Sequence, residues 1–187
     1  MPSFTQVAAF VAAAVSLVSA NSMTFINQDG TTRRIVFTPD YGHAAIDSIT
    51  LPGNAQARAE FPTGWIGNAY SVSEGKEDVP GMLAEVAYQG WDGLTYFDVS
   101  AIVNAADHDG VKQMFPASQL SVEPKTVFSG CLVFPCGTAY YLPDDIQTVT
   151  TPETDIIVTL GSSPNDVVAR EEPRMVPRHY VLGNLSA

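Results

Sequence analysis

Two carboxylates, Glu85 and Asp98, are the residues of this sequence best placed to do chemistry. Each sits inside an apolar or aromatic run, Met82–Tyr88 and Leu94–Ser100, and the two runs are joined by Gln-Gly-Trp-Asp-Gly. Alternate side chains of a strand point to opposite faces. In that register Leu83, Glu85 and Ala87 share one face, as do Tyr96, Asp98 and Ser100, while Ala84, Val86, Phe97 and Val99 turn to the core. Neighbouring strands lie about 4.8 Å apart. A facing pair therefore falls in the range that glycoside hydrolysis needs, roughly 5–5.5 Å between carboxyls for a retaining enzyme and 6.5–9.5 Å for an inverting one. Glu85 and Asp98 are the candidate catalytic residues on this reading. Trp91 in the turn and Tyr96 beside Asp98 are candidate ligand-binding aromatics, because a ring offers a large flat apolar face to a sugar; Trp65 and Tyr70 are further aromatics for that role. The competing reading makes both acids structural groups on a solvated face.

Other clusters carry less chemistry. Asp107-His108-Asp109-Gly110 combines carboxylates with an imidazole, but adjacent residues in a turn diverge and Asp-Gly is ordinary turn chemistry. No metal site and no cofactor are expected. Gly-x-Ser-x-Gly, His-Glu-x-x-His and a glycine-rich phosphate loop are all missing from the sequence. The two cysteines, Cys131 and Cys136, are separated by Leu-Val-Phe-Pro. In an oxidising compartment they are expected to form one disulfide across a short loop, worth roughly 2 kcal/mol.

The elements that must position these residues read as strands. Short β-branched and aromatic runs alternate with Gly, Pro, Asn and Asp, the pattern of an all-β sandwich or barrel. Strands are expected over Met23–Asn27, Arg33–Thr38, Ala45–Leu51, Ala55–Phe61 and Trp65–Ser73, then over the two acid-bearing runs. Ser100–Ala105, Val111–Phe115, Thr126–Phe134, Thr148–Thr151 and Asp155–Gly161 complete the set. The polar segments 28–32, 52–54 and 152–154 read as hairpin connections. Residues 1–20 read as a secretory signal, with an apolar run rich in Ala and Val before Val18-Ser19-Ala20. Residues 21–161 form the expected domain. Residues 162–187 contain three prolines and little periodicity, and are expected to be a mobile tail carrying an Asn184-Leu185-Ser186 glycosylation sequon. No other stretch is long and apolar enough for a membrane span. The net charge of −11, from 20 acids against 9 Lys and Arg, argues against a nucleic-acid partner. It suits solubility, cations, or a neutral polymer such as polysaccharide.

Leu83-Ala84-Glu85-Val86, a glycine-bearing turn, then Tyr96-Phe97-Asp98-Val99-Ser100 resembles the central segment of thaumatin-like proteins. Cys136-Gly137-Thr138-Ala139-Tyr140-Tyr141 with Asp144-Asp145-Ile146-Gln147-Thr148 is similar to that family's late segment, and 154–160 to its last strand. The resemblance spans about Pro80 to Gly161. It implies an antiparallel β-sandwich of thaumatin-like type with a loop-rich flap, secreted, binding cell-wall β-1,3-glucan through an acidic cleft, and weakly catalytic at most. The family's next cleft aspartate falls near Asn104, which is the matching ligand-binding position here, and its cleft arginine has no counterpart, since no Arg occurs between Arg58 and Arg170. The chain is also poor in cysteine for that family. An extracellular endo-β-1,3-glucanase, a metal-dependent DNase and a structural cell-surface protein are the alternative functions.

Overall fold

The structure, a computed structural model, describes residues 21–107 and 109–162. The expected signal at 1–20, His108, and residues 163–187 with Asn184 lie outside the described residues.

Eleven strands make two sheets. They are β1 (Asn21–Asn27), β2 (Arg33–Pro39), β3 (Ile49–Leu51), β4 (Gln56–Phe61), β5 (Ile66–Ser73), β6 (Leu83–Ala87), β7 (Thr95–Ser100), β8 (Val111–Pro116), β9 (Ser129–Gly130), β10 (Val149–Thr151) and β11 (Asp155–Leu160). One sheet has the order β4-β1-β11-β8-β9 and the other β10-β7-β6-β5-β2-β3. Every pairing is antiparallel except β1 with β11. The only helical elements among the described residues are two three-residue 3₁₀ turns, at Trp91–Gly93 and Ala117–Gln119. The all-β, two-sheet sandwich expected from the sequence is present.

Alternation builds the core. Met23 and Phe25 of β1, Ile35 and Phe37 of β2, Ala84 and Val86 of β6, Phe97 and Val99 of β7, and Ile156, Val158 and Leu160 of β11 are all buried between the sheets. A run of rings ties the layers together: Phe25 to Phe37 at 5.7 Å, Phe37 to Phe61 at 5.6 Å, and Phe61 to both Trp65 and Tyr88 at 4.7 and 5.7 Å. Off-parallel rings at these distances are attractive beyond the area they bury.

Three expected hairpins are not hairpins. Segments 28–32, 52–54 and 152–154 each carry the chain from one sheet to the other, so β1 and β2, β3 and β4, and β10 and β11 never pair. A short polar connection satisfies either geometry; what decides is which partner buries the apolar face. At 28–32 the crossing is locked by Arg33, whose guanidinium is buried and donates to both Asp29 carboxylate oxygens at 2.6 and 2.8 Å, to the Thr31 carbonyl and to the Asp109 carbonyl. The expected strand at 126–134 shrinks to Ser129–Gly130. Gly130 holds a left-handed φ of 89°, and a Cβ there would collide with the Lys112 carbonyl. The expected strand at 100–105 stops at Ser100, after which Asn104 accepts the Ala106 N–H in a turn.

Candidate functional site

The hairpin β6–β7 is present as expected, and its register sets Glu85 directly opposite Asp98. Asn68 of β5 lies opposite Glu85 on the other side, and Thr38 of β2 opposite Asn68. Beyond Asp98, Thr148 Oγ1 donates to Asp98 Oδ2 at 3.2 Å. A polar row, Thr38, Asn68, Glu85, Asp98, Thr148, thus crosses the outer face of the six-stranded sheet. The inner face at the same positions is apolar, with Ala84, Val86, Phe97 and Val99 buried. The row exists because period-two alternation places polar residues outward on each of these strands.

Around it lies an open groove of about 210 Å³, lined by Asp40, Ile66, Asn68, Glu85, Tyr96 and Asp98 among others. Tyr96 forms one wall. Its ring packs on Gly90, where a Cβ would come within 2.9 Å of the ring, and its hydroxyl donates to the Trp91 carbonyl at 3.1 Å. The turn that carries Trp91 is tight: the Gly90 N–H donates to the Leu94 carbonyl at 2.8 Å, and Asp92 adopts a left-handed φ of 59°.

The electrostatics centre on Asp98. Burial, then the Glu85 charge and a hydrogen bond with Glu85, push its carboxyl up to about 7, against a smaller opposing effect from Thr148. Its Oδ1 is sealed from water and meets no N–H or O–H donor. Glu85 is the group directly opposite it on the neighbouring strand, and a proton on the pair would supply the missing hydrogen. Two charged carboxylates directly opposite on adjacent strands repel. The other oxygen is served by a relay. Tyr140 hydroxyl and Thr148 Oγ1 are 2.8 Å apart, and the Thr148 N–H donates to the Tyr140 oxygen. With Thr148 spending its one hydroxyl hydrogen on Asp98, Tyr140 donates to Thr148.

The Cys131–Cys136 disulfide is formed, with Cα atoms 6.1 Å apart. It closes the loop from which the chain returns to β7: Tyr140 N–H donates to the Val99 carbonyl and Ala101 N–H to the Tyr140 carbonyl. That return delivers Tyr140 and Thr148 to Asp98.

Of the residues singled out in the sequence, Glu85, Asp98 and Tyr96 come together. Trp91 is 81% exposed and adjoins the groove through its backbone only. Asn104 does not join them. It lines a separate cavity of about 360 Å³ between the 74–82 and 101–110 connections. Trp65 and Tyr70 are buried, so neither offers a free ring; the Trp65 indole N–H donates to the Ala44 carbonyl and the Tyr70 hydroxyl to Asp78. Asp107 is occupied as a turn organiser, accepting the N–H groups of Met82, Asp109 and Gly110. Among the described residues no group of three or more His, Cys, Asp or Glu is arranged to hold a metal ion. Asp145 likewise accepts the Tyr141 and Leu142 N–H groups. Sequence reasoning missed Asp40, Asn68 and Thr148. Alternation along β5 carried the signal for Asn68, but the approach of Asp40 and Thr148 is tertiary.

No family model matches the chain. It is 54% identical to antigenic protein SchS21 of Stachybotrys chartarum over 141 residues, covering 75% of this chain and 94% of that protein. The chain belongs to the family of that antigenic protein. Among solved structures it resembles the protein elicitor MoHrip2 of Magnaporthe oryzae, with a TM-score of 0.58 and 16% identity over 76% of this chain and 100% of that one. This likeness is one of fold. The thaumatin-like assignment drawn from the Leu-Ala-Glu and Phe-Asp-Val-Ser segments is corrected accordingly, for the relatedness that long-range identity establishes is to SchS21. Short strand motifs are what any alternating β-hairpin with outward acids tends to contain, so they overstated kinship.

Proposed function

We propose that this chain is a secreted protein of the fungal antigen and elicitor type, which binds a neutral cell-wall glycan such as β-1,3-glucan in the Glu85–Asp98 groove without hydrolysing it. The polar row flanked by the Tyr96 ring carries this reading. It offers acceptors and donors for sugar hydroxyls beside one flat apolar face, the combination a saccharide site needs. The names of the relatives, an antigenic protein and a protein elicitor, fit a protein that is encountered outside the cell. Residues 1–20 as a cleaved signal and Asn184 as a glycan acceptor belong to the same proposal. No helix among the described residues is long and apolar enough to cross a membrane.

The relatives, an antigenic protein and a protein elicitor, support a binding role rather than hydrolysis. A pull-down on insoluble β-1,3-glucan tests the binding. Retention of the wild-type protein is expected, and Tyr96→Ala combined with Glu85→Ala should weaken it about tenfold or more, ~1.4 kcal/mol. No retention, or equal retention by the variant, would sink the assignment of the groove.

A further inference from the structure

We propose that the groove takes its ligand together with a proton, the Glu85–Asp98 pair acting as a one-proton switch that favours uncharged ligands. The inference rests on the glycan-binding reading above and concerns how that site is regulated.

The geometry begins with strand register. Glu85 and Asp98 are set opposite each other by the β6–β7 pairing. Asp98 Oδ2 is engaged by Thr148, while Oδ1 is buried without a donor. Glu85 stands directly opposite in the strand pairing, so a proton carried by the pair is the hydrogen that would satisfy that atom. The pair therefore has two distinct states. With one proton it is a single charge presenting one O–H donor and one carboxylate acceptor. Without the proton it is two like charges on adjacent strands, and Oδ1 is left unsatisfied.

Nothing nearby compensates the second charge. The groups facing the pair are Asn68 from β5, Tyr96 from β7, Thr148 with Tyr140 behind it, and Asp40 from the connection after β2. All are neutral polar groups except Asp40, which adds a further acid. No Lys or Arg lines the groove. A ligand that covers the floor removes water from the pair, and stripping water from two uncompensated charges costs more than from one. Occupancy by a neutral polymer therefore pulls a proton on. By linkage, protonation tightens binding. The upward push on Asp98 from burial and Glu85 puts the transition near neutrality. An anionic ligand would add a third or fourth negative charge and is disfavoured in either state.

The experiment measures retention on insoluble β-1,3-glucan from about pH 5 to about pH 8.5, for the wild-type protein and for Asp98→Asn, with thermal melting of each to confirm folding. In the wild type, retention is expected to fall with rising pH across the neutral range, approaching tenfold per pH unit where a whole proton is taken up. Asp98→Asn, whose side chain does not titrate, should bind with nearly the same strength throughout. Wild-type binding that is independent of pH overturns the switch and leaves the glycan reading standing. An equal pH dependence in Asp98→Asn also overturns it, because the titrating group would then lie elsewhere. Absence of retention at every pH overturns the glycan reading, and the switch with it.

Discussion

Asp98 shows how one side chain can couple fold to solution conditions. Its carboxyl is pushed up to about 7 in the folded chain, chiefly by burial and then by Glu85, against an unfolded value near 3.9. The folded state therefore binds more protons than the unfolded state between those values. Asp98 contributes stability that is complete below about pH 4 and is lost as the pH rises through about 7. Asp98→Asn removes that dependence. Relative to wild type, the variant should gain stability steadily from about pH 4 to about pH 8, by an amount of order a few kcal/mol. Paired thermal melts across that range check the sign; a constant difference between the two proteins would refute it. That both acids face outward was legible from alternation in Leu83–Ala87 and Thr95–Ser100. That they stand directly opposite each other, with Thr148 on Asp98, was not, because it depends on the exact strand register and on a residue arriving from 50 positions away.

Among the elements, the crossing between β1 and β2 depends on a residue that pattern reading passes over. Arg33 begins a strand in the sequence and looks like an exposed basic residue, yet it is 2% exposed. Its guanidinium joins Asp29, Asn27, the Thr31 carbonyl and the Asp109 carbonyl, and so staples the crossing to the loop before β8. The Arg33 hydrogen bonds hold the Asp29 carboxyl well below the usual carboxylate range. That part of the stability is present above about pH 4 and is lost as the pH falls, the opposite sense to Asp98. Arg33→Ala takes the guanidinium from Asn27 Oδ1 and leaves the Asp29 charge with only the Thr31 and Ser162 N–H groups, and should cost about 3 kcal/mol or more. Urea unfolding checks this, and a loss under about 1 kcal/mol would show the pair to be dispensable. The strands themselves were readable, since their runs of Val, Ile, Phe and Tyr must be buried on one face. Which sheet each strand joins was not readable at the three crossings, because Gln28–Thr32, Pro52–Asn54 and Pro152–Thr154 are equally good as hairpin turns.

The whole molecule is acidic, with a net charge of −11, and its candidate groove contains no cation. Binding there cannot rest on releasing counterions from a polyanion, so retention on glucan should be nearly unchanged between about 0.05 and 0.5 M NaCl, and DNA should not be retained at either. Gel shift and pull-down over that range test both, and DNA retention that falls steeply with salt would reverse the assignment of partner class. Local pattern was enough to determine an all-β chain, the inner and outer faces of its acid-bearing hairpin, and the Cys131–Cys136 bridge. Those follow from side-chain alternation, strand propensity and the presence of only two cysteines in the chain. It was not enough to determine kinship, where two short motifs pointed to the thaumatin-like family and identity over 141 residues points to SchS21. The tertiary structure alone decided that Asp40 and Thr148 approach the acids and that Asn104 does not, because groove membership is a matter of distance between segments far apart in sequence.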